Sequence, residues 1–469
     1  MTIAGLTCDS RRVAPGFLFA AIPGSTSDGR SFIPDAIDKG AAAVLAPDGT
    51  DVAGVPLIVD ANPRKRYAEM AAAFYERQPE RVVAVTGTSG KTSIVTFLGQ
   101  IWRAAGHAAA SLGTLGLKAR DAAGSEILTT DDKPLTTPDA ADLHRQLMEI
   151  ADAGIDHLAI EASSHGLDQY RLDGVRISVA VFTNLSREHL DYHETEDAYL
   201  AAKLRLFQEI LVDGGSAIVN ADQAYKDAVI AACRARNLPV MTYGADGETL
   251  RLQNLTATRH GQRLSIAAEG TVHEVELPLV GAFQASNALA AAAAAMATGI
   301  DAETAIAALA GLTGARGRMQ LAGRHANGAA VYVDYSHKPD ALRNALAALR
   351  PHTQGRLHVV FGCGGDRDTG KRPEMGAIAV DMTDRVIVTD DNPRSEDAAD
   401  IRRQIMAAAP DAEEIGDRAD AIQAAIAGLA DGDVLLVAGK GHEQGQIIGD
   451  EVRPFDDAEI VATLLEGTF

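Results

Sequence analysis

The sequence predicts an α/β protein of three domains, each built around a sheet, and three observations carry the prediction. Short runs rich in Val, Ile and Leu alternate with helix-patterned stretches through most of the chain, as parallel, doubly wound sheets require. Polar clusters follow these runs directly, at the carboxyl ends of strands, where open parallel sheets collect ligands. The length of 469 residues suits about three domains at roughly 100–200 residues each.

The first segment, residues 1–80, contains the apolar runs GFLFAAIPG, AAAVLAP and PLIVDA, broken by glycine and proline, with a helix at IPDAIDKG. It reads as a small α/β domain. PRKRYAEMAAAFYERQPE then forms a helix leading to a strand that begins at Val82. Across residues 81–315 the strands VVAVT, DHLAIEA, ISVAVFT and GSAIVNA alternate with helices, which describes a central parallel-sheet domain. AVYVDYSH, RLHVVFGCGG, DRVIVTDDNPR and DVLLVAGKGHE repeat the alternation across residues 316–469. The alanine run Ala288 to Ala297 is too short to span a membrane and reads as a tightly packed helix.

Composition narrows the function classes. Apolar residues at 46% and charged residues at 23% describe a soluble chain with ample core. With 43 Lys and Arg against 64 Asp and Glu, the net charge is −21, which excludes nucleic acid or an anionic membrane as the main partner. Cys8, Cys233 and Cys363 lie far apart without C-x-x-C spacing, so a reducing cytoplasm is expected, with neither a disulfide framework nor a zinc site. The N-terminal MTIAGLTCDSRRVAP has no apolar signal core, and no membrane insertion is expected.

VVAVTGTSGKTS, residues 82–93, carries the chemistry. It is G-x-x-G-K-T, two residues shorter than the common phosphate loop, and Val85 stands where the first glycine of that loop belongs. Ile94, Phe97, Leu98, Ile101, Trp102 and Ala105 continue at helical spacing until Gly106, so the loop opens a helix. Backbone N–H groups and the positive dipole end at such a terminus favour phosphate. Gly87, Thr88, Ser89, Gly90, Lys91, Thr92 and Ser93 are therefore the candidate nucleotide loop, with Lys91 on the β- and γ-phosphates and the Thr92 hydroxyl on Mg²⁺. No asparagine is followed by lysine, which removes the guanine-reading motif of a GTPase switch. Glu161 and His189, each just after an apolar strand, suit a shared Mg²⁺. Lys203, in AYLAAKLRLF, reads from pattern alone as a solvated helix side chain.

GTSGKTS, Thr136-Thr137 before PDA, EASSHGLDQYR, FTNLSREHLDYH, NALAA, DYSHKPDAL, GDRDTGKRP, DNPR and GKGHE together resemble the Mur ligases of peptidoglycan synthesis, in order and over nearly the whole chain. The shortened phosphate loop is that family's own form. The resemblance implies a uridine-nucleotide-binding N-terminal domain, a central P-loop ATPase-like domain and a C-terminal Rossmann-like domain. It implies amide formation at the expense of ATP, joining meso-diaminopimelate to the D-glutamate γ-carboxylate of a UDP-linked dipeptide through an acyl phosphate.

Residue roles follow from the same resemblance. Lys91, Glu161, His189 and Lys203 are the expected catalytic set, with Thr92, Glu161, His189 and a CO₂-derived carbamate on Lys203 as metal ligands. ATP would also meet Asn287, Arg318 and Asp334. The UDP substrate would lie against Cys8, Ser10, Ser25, Thr26, Ser27, Thr136, Thr137, Ser163, Gln169 and Arg171. Diaminopimelate would meet Arg367, Asp391, Asn392, Pro393, Arg394, Gly439 and Glu443, the arginines facing the carboxylate that lysine lacks. Lys338 stands where relatives often have threonine. Expected partners are these small molecules alone, with a monomeric chain. A lysine-adding ligase, a folylpolyglutamate-type ligase and a nucleotide-dependent binding protein without ligation chemistry remain as alternatives.

Overall fold

The computed structural model describes residues 2–24, 27–130, 135–186 and 188–467. The chain forms two compact units, one of Met1–Glu248 with Ala293–Asp301, the other of Thr249–Ala292 with Ala302–Phe469.

The first unit holds two sheets. Gly5–Thr7, Phe17–Ala20, Ala43–Ala46 and Leu57–Val59 make a four-stranded parallel sheet, and the expected helix lies at Ile33–Asp38. In the larger sheet the strands run in the order Val240–Gly244, Ser216–Asn220, Ile177–Phe182, Arg81–Thr86, His157–Glu161 and Ala109–Gly113, all parallel. Strands Gly116–Arg120 and Glu126–Thr130 extend it antiparallel. From Arg81–Thr86 the chain crosses toward one edge of this sheet, and from Ile177–Phe182 toward the other. The two strands are neighbours, so their carboxyl ends flank the switch point at which open α/β sheets bind ligands.

Helix Lys91–Ala104 begins after Gly90, whose φ of 90° only glycine adopts cheaply, and it buries Phe97, Leu98, Ile101 and Trp102 completely. It ends at Gly106, φ 88°, with His107 N–H donating to Trp102 O at 2.9 Å, a Schellman stop. The indole N–H of Trp102 donates to Thr298 Oγ1 at 2.9 Å, which satisfies the one polar atom of this core side chain.

The second unit contains an antiparallel meander, Leu250–Thr258, Gly261–Ala268 and Thr271–Leu277. Its six-stranded sheet has the order Gln320–Arg324, Ala330–Asp334, Val434–Ala438, Leu357–Phe361, Arg385–Val388 and Glu413–Glu414, parallel except for the first strand. The alanine run lies in helix Ala282–Ala297, and Ala288 to Ala295 are fully buried.

This meander, and the antiparallel strands Gly116–Arg120 and Glu126–Thr130, depart from the uniform strand–helix alternation expected for residues 81–315. The local reason is turn chemistry: Glu269 and Gly270, at φ 48° and 80°, make a two-residue hairpin turn between strands that alternate polar and apolar residues. That period-two pattern has no room for an intervening helix.

One buried ion pair ties the second sheet together. Arg418 and Asp457 are both fully buried, and the guanidinium donates from Nε and Nη2 to the two carboxylate oxygens at 2.7 Å each. Nη2 also donates to Ala438 O at 3.0 Å, and Nη1 to Asp390 O at 3.3 Å, so the ends of two strands are tied to one side chain. Replacing Arg418 by alanine strands a buried carboxylate and is expected to cost about 3–5 kcal/mol, measured as a lower urea midpoint at unchanged slope. Arg418→Met combined with Asp457→Leu removes both charges and is expected to recover most of that loss.

Candidate active site

The phosphate loop sits at the switch point. Gly87 has φ 145°, and a Cβ there would stand 1.9 Å from Thr183 Oγ1, so only glycine lets the two strand ends close. Asn184 organises the loop: its carbonyl accepts from Thr88 N–H and its side-chain oxygen from Ser89 N–H, both at 2.9 Å. Thr183 Oγ1 donates to Ser89 O at 2.7 Å. With those two amides held, the first turn of the helix from Gly90 onward is the positive end presented to an anion. Ser93 is buried in that turn.

Two ammonium groups converge on one oxygen. Lys91 Nζ donates to Gly87 O at 2.9 Å and to Thr88 O at 2.8 Å. Lys203 Nζ donates to the same Gly87 O at 2.9 Å. Lys203 is 1% exposed, so the solvated reading of this lysine is corrected. Helix Glu196–Arg205 turns it inward against the loop, which helical spacing alone does not reveal. Burial, followed by the charge of Lys91, drives the Lys203 amine well below the usual lysine range. The Tyr199 ring lies 4.4 Å from Lys203 Nζ, and its hydroxyl is 3.2 Å from Thr88 Oγ1.

Glu161 ends its strand fully enclosed. Thr92 Oγ1 donates to Glu161 Oε1 at 3.0 Å, Thr114 N–H to the same oxygen at 2.8 Å, and Thr114 Oγ1 to Oε2 at 3.3 Å. A carboxylate and a hydroxyl in contact at a phosphate loop are the hard oxygen donors that Mg²⁺ takes, usually beside waters and phosphate oxygens. Among the described residues no cluster of three or more His, Cys, Asp or Glu side chains forms a metal cage. The Thr92 hydroxyl and Glu161 carboxylate fit a Mg²⁺ that takes its remaining ligands from water and phosphate oxygens. His189, at φ 58° and partly exposed, has its ring centroid 6.0 Å from Tyr199 and 5.1 Å from His165.

The residues expected at the UDP substrate take unequal positions. Thr137 is fully buried; its hydroxyl donates to Glu161 O at 2.8 Å and lies 3.0 Å from Ser163 Oγ, which itself caps the helix at Gly166 N–H. Both hydroxyls thus brace the Glu161 turn. Thr136 Oγ1 is 3.2 Å from Thr114 Oγ1. Arg171 donates to Thr137 O at 2.8 Å and to Gln169 Oε1 at 2.6 Å, so the expected pair Gln169 and Arg171 are joined. Cys8 donates through sulfur to Asp139 Oδ2 at 3.2 Å; Ser10 is buried, Ser27 exposed, and Ser25 and Thr26 lie outside the described residues.

In the second unit, Asn287 donates to Gln284 Oε1 at 3.0 Å, and Gln284 donates to Arg318 O at 3.2 Å. The Arg318 guanidinium stacks 4.7 Å from the Tyr335 ring centroid. Asp334 accepts from Met319 N–H at 2.6 Å and from the Ser336 hydroxyl, and burial raises its carboxyl above the usual range. Asn287, Arg318 and Asp334 therefore share one neighbourhood. Lys338 occupies the N-cap position of helix Pro339–Leu349 without a side-chain capping bond.

The DNPR and GKGHE loops meet. Asn392 Nδ2 donates to Glu443 Oε2 at 2.8 Å. Arg394, at φ 52°, donates from Nη1 to Gly365 O at 2.8 Å, and its backbone bridges to Ile448. Gly439 leaves space for buried Asp391, whose Oδ2 would lie 2.6 Å from a Cβ there, and a Cβ at Gly365 would come closer still to Pro393 O. Arg367 is exposed beside this cluster. Asn184, Thr114, Tyr199 and Lys440 escaped the sequence reading. Tyr199 alone left a signal, four residues before Lys203 on the same helix face. A cleft of about 440 Å³ lined by Arg81, His107, His157 and Thr298 opens at the opposite, amino ends of the strands and contains none of these residues.

Three family profiles match the chain in order: "Mur ligase family, catalytic domain" over residues 2–82, "Mur ligase middle domain" over 85–295, and "Mur ligase, glutamate ligase domain" over 317–441. The chain is 52% identical over 463 residues to the UDP-N-acetylmuramoyl-L-alanyl-D-glutamate–2,6-diaminopimelate ligase of Agrobacterium fabrum, covering 99% of this chain and 93% of the relative. It is 53% identical to the ligase of the same name from Caulobacter vibrioides, with 99% and 96% covered. A solved structure of a ligase with that name is similar with TM-score 0.74 and 34% identity, covering 99% of this chain and 95% of the other.

A single methyl tests the carboxylate's placement. Gly113→Ala would put a Cβ 2.3 Å from Glu161 Oε1, displacing the carboxylate from Thr92. Magnesium-dependent nucleotide affinity, titrated by calorimetry, is expected to fall by about 10–100-fold, whereas metal-free nucleotide binding changes little.

Proposed function

The chain belongs to the Mur ligase family, and from that premise we propose that it joins meso-diaminopimelate to the D-glutamate γ-carboxylate of UDP-MurNAc-L-Ala-D-Glu, forming ADP and phosphate. The observation that carries the reading is the pairing of the Arg394 and Glu443 loops through Asn392: Arg394 Nη1 lies 3.5 Å from Asn392 O, and the Asn392 amide holds Glu443. A guanidinium and a carboxylate set on adjoining loops match the carboxylate and ammonium of a second amino-acid centre, which lysine lacks in part. The proposed division is 1–80 for the UDP substrate, 81–315 for ATP and 316–469 for the amino acid, in a cytoplasmic monomer.

A carboxylate is a poor electrophile. Transfer of the γ-phosphoryl group to a γ-carboxylate oxygen, with ADP leaving, supplies a leaving group. The free amine of diaminopimelate then attacks the acyl carbon, and the tetrahedral intermediate collapses with loss of phosphate and a proton. Every reactant is anionic, so placing and neutralising charge is the protein's main task. Lys91 leaves its loop carbonyls to meet the moving phosphoryl group. Thr92 and Glu161 would hold one Mg²⁺, and His189 would serve a second, with Lys203 as a metal ligand only in its carbamate form. The metal, when bound, neutralises phosphate oxygens.

Lys203 supports its own modification. A buried amine whose proton is disfavoured presents the neutral nitrogen lone pair that adds to CO₂, losing one proton to give a carbamate. The product replaces repulsion from Lys91 with attraction.

Purified protein given ATP, Mg²⁺ and the UDP-dipeptide is expected to form product with meso-diaminopimelate and not with lysine, read by mass spectrometry of the UDP-peptide. Product with lysine alone, or a polyglutamylated folate from folate substrates, would overturn the reading. Lys203→Ala is expected to lower ligation at least about 10²-fold, with partial recovery in added acetate or formate; full activity without rescue would remove Lys203 from the site.

A further inference from the structure

Lys440, the lysine of GKGHE, has no role in the reaction as described above, yet it is fully buried with all three ammonium protons in use. Nζ donates to Asn392 Oδ1 at 3.1 Å, Glu443 Oε2 at 3.2 Å and Gly445 O at 2.6 Å. Asn392 Oδ1 also accepts from Ile447 N–H at 2.9 Å, so both of its lone pairs are taken. Glu443 Oε2 receives two donors, Lys440 and the Asn392 amide. Among the described residues no donor reaches Glu443 Oε1. A buried cation is tolerated only when paired and hydrogen-bonded, and here the pairing joins three chain segments.

We propose that Lys440 is the positioning residue of the amino-acid site, locking Glu443 and Asn392 so that Glu443 Oε1 alone faces the incoming ammonium. It acts through Glu443 and touches no substrate. The assignment rests on the functional reading above. Arg394 sorts substrates by their distal carboxylate; Lys440 sets how tightly any distal ammonium is held. Loss of Lys440 should therefore weaken diaminopimelate without admitting lysine.

The test is steady-state ligation by Lys440→Met, Lys440→Arg, Glu443→Gln and the double variant Lys440→Met/Glu443→Gln, with diaminopimelate varied at saturating ATP and UDP-dipeptide. Lys440→Met is expected to raise KM for diaminopimelate about 30-fold or more, with KM for ATP unchanged and kcat within about threefold. Lys440→Arg is expected to fall between it and the unaltered protein. Adding Lys440→Met to Glu443→Gln should cost little more, because the two side chains act as one unit. Multiplying effects in the double variant, or KM values for all three substrates rising together, would overturn the proposal. If Lys440→Met does not fold, the same cycle with Lys440→Arg decides. Unaltered protein that makes no diaminopimelate product would instead sink the functional reading itself.

Discussion

The geometry at Gly87 is the constraint on which the candidate site depends. Two neighbouring strands end side by side, and their following loops touch so closely that a Cβ at residue 87 would overlap Thr183 Oγ1. The bare α-carbon permits the contact, and the carbonyl it turns out becomes the shared acceptor of Lys91 and Lys203. Burial and the neighbouring charge of Lys91 both disfavour the protonated form of Lys203 and lower its pKa well below the usual lysine range. A backbone requirement thus becomes a chemical property of a side chain 116 residues away in sequence.

The carboxylate side of this site is built by a different route. Glu161 is enclosed by Thr92 and Thr114, while Thr137 and Ser163 brace the turn that follows it. Among the described residues two hydroxyls and a backbone amide are the donors that reach the carboxylate. In a chain of net charge −21, the cations proposed to meet anionic substrates are held by carbonyl oxygens, two of them on Gly87 O. Arg171 on Thr137 O and Arg394 on Gly365 O follow the same pattern.

The second unit relies on buried charge where the first relies on a missing side chain. Arg418 fixes the main chain at Asp390 and Ala438, and Lys440 joins the loops that grow from those points. Both cations exchange hydration for several strong acceptors, which rigidifies loops that would otherwise be free to fluctuate.

Local pattern determined much of this protein by itself. Strand–helix alternation, glycine stops and the placement of polar clusters after strands depend on neighbours a few residues apart. They marked the parallel sheets, the phosphate loop, Glu161 and the DNPR and GKGHE loops. The antiparallel strands between Leu250 and Leu277 followed from a two-residue turn whose strength depends on φ signs that composition only hints at. Tertiary structure alone decided that Lys203 is buried, that the Thr137 hydroxyl braces the Glu161 turn, and that Tyr199, Asn184, Thr114 and Lys440 lie among the candidate site residues. The physical reason is the same in each case: desolvation and hydrogen-bond satisfaction are set by which distant segments come to lie within about 3 Å, and no local periodicity encodes that.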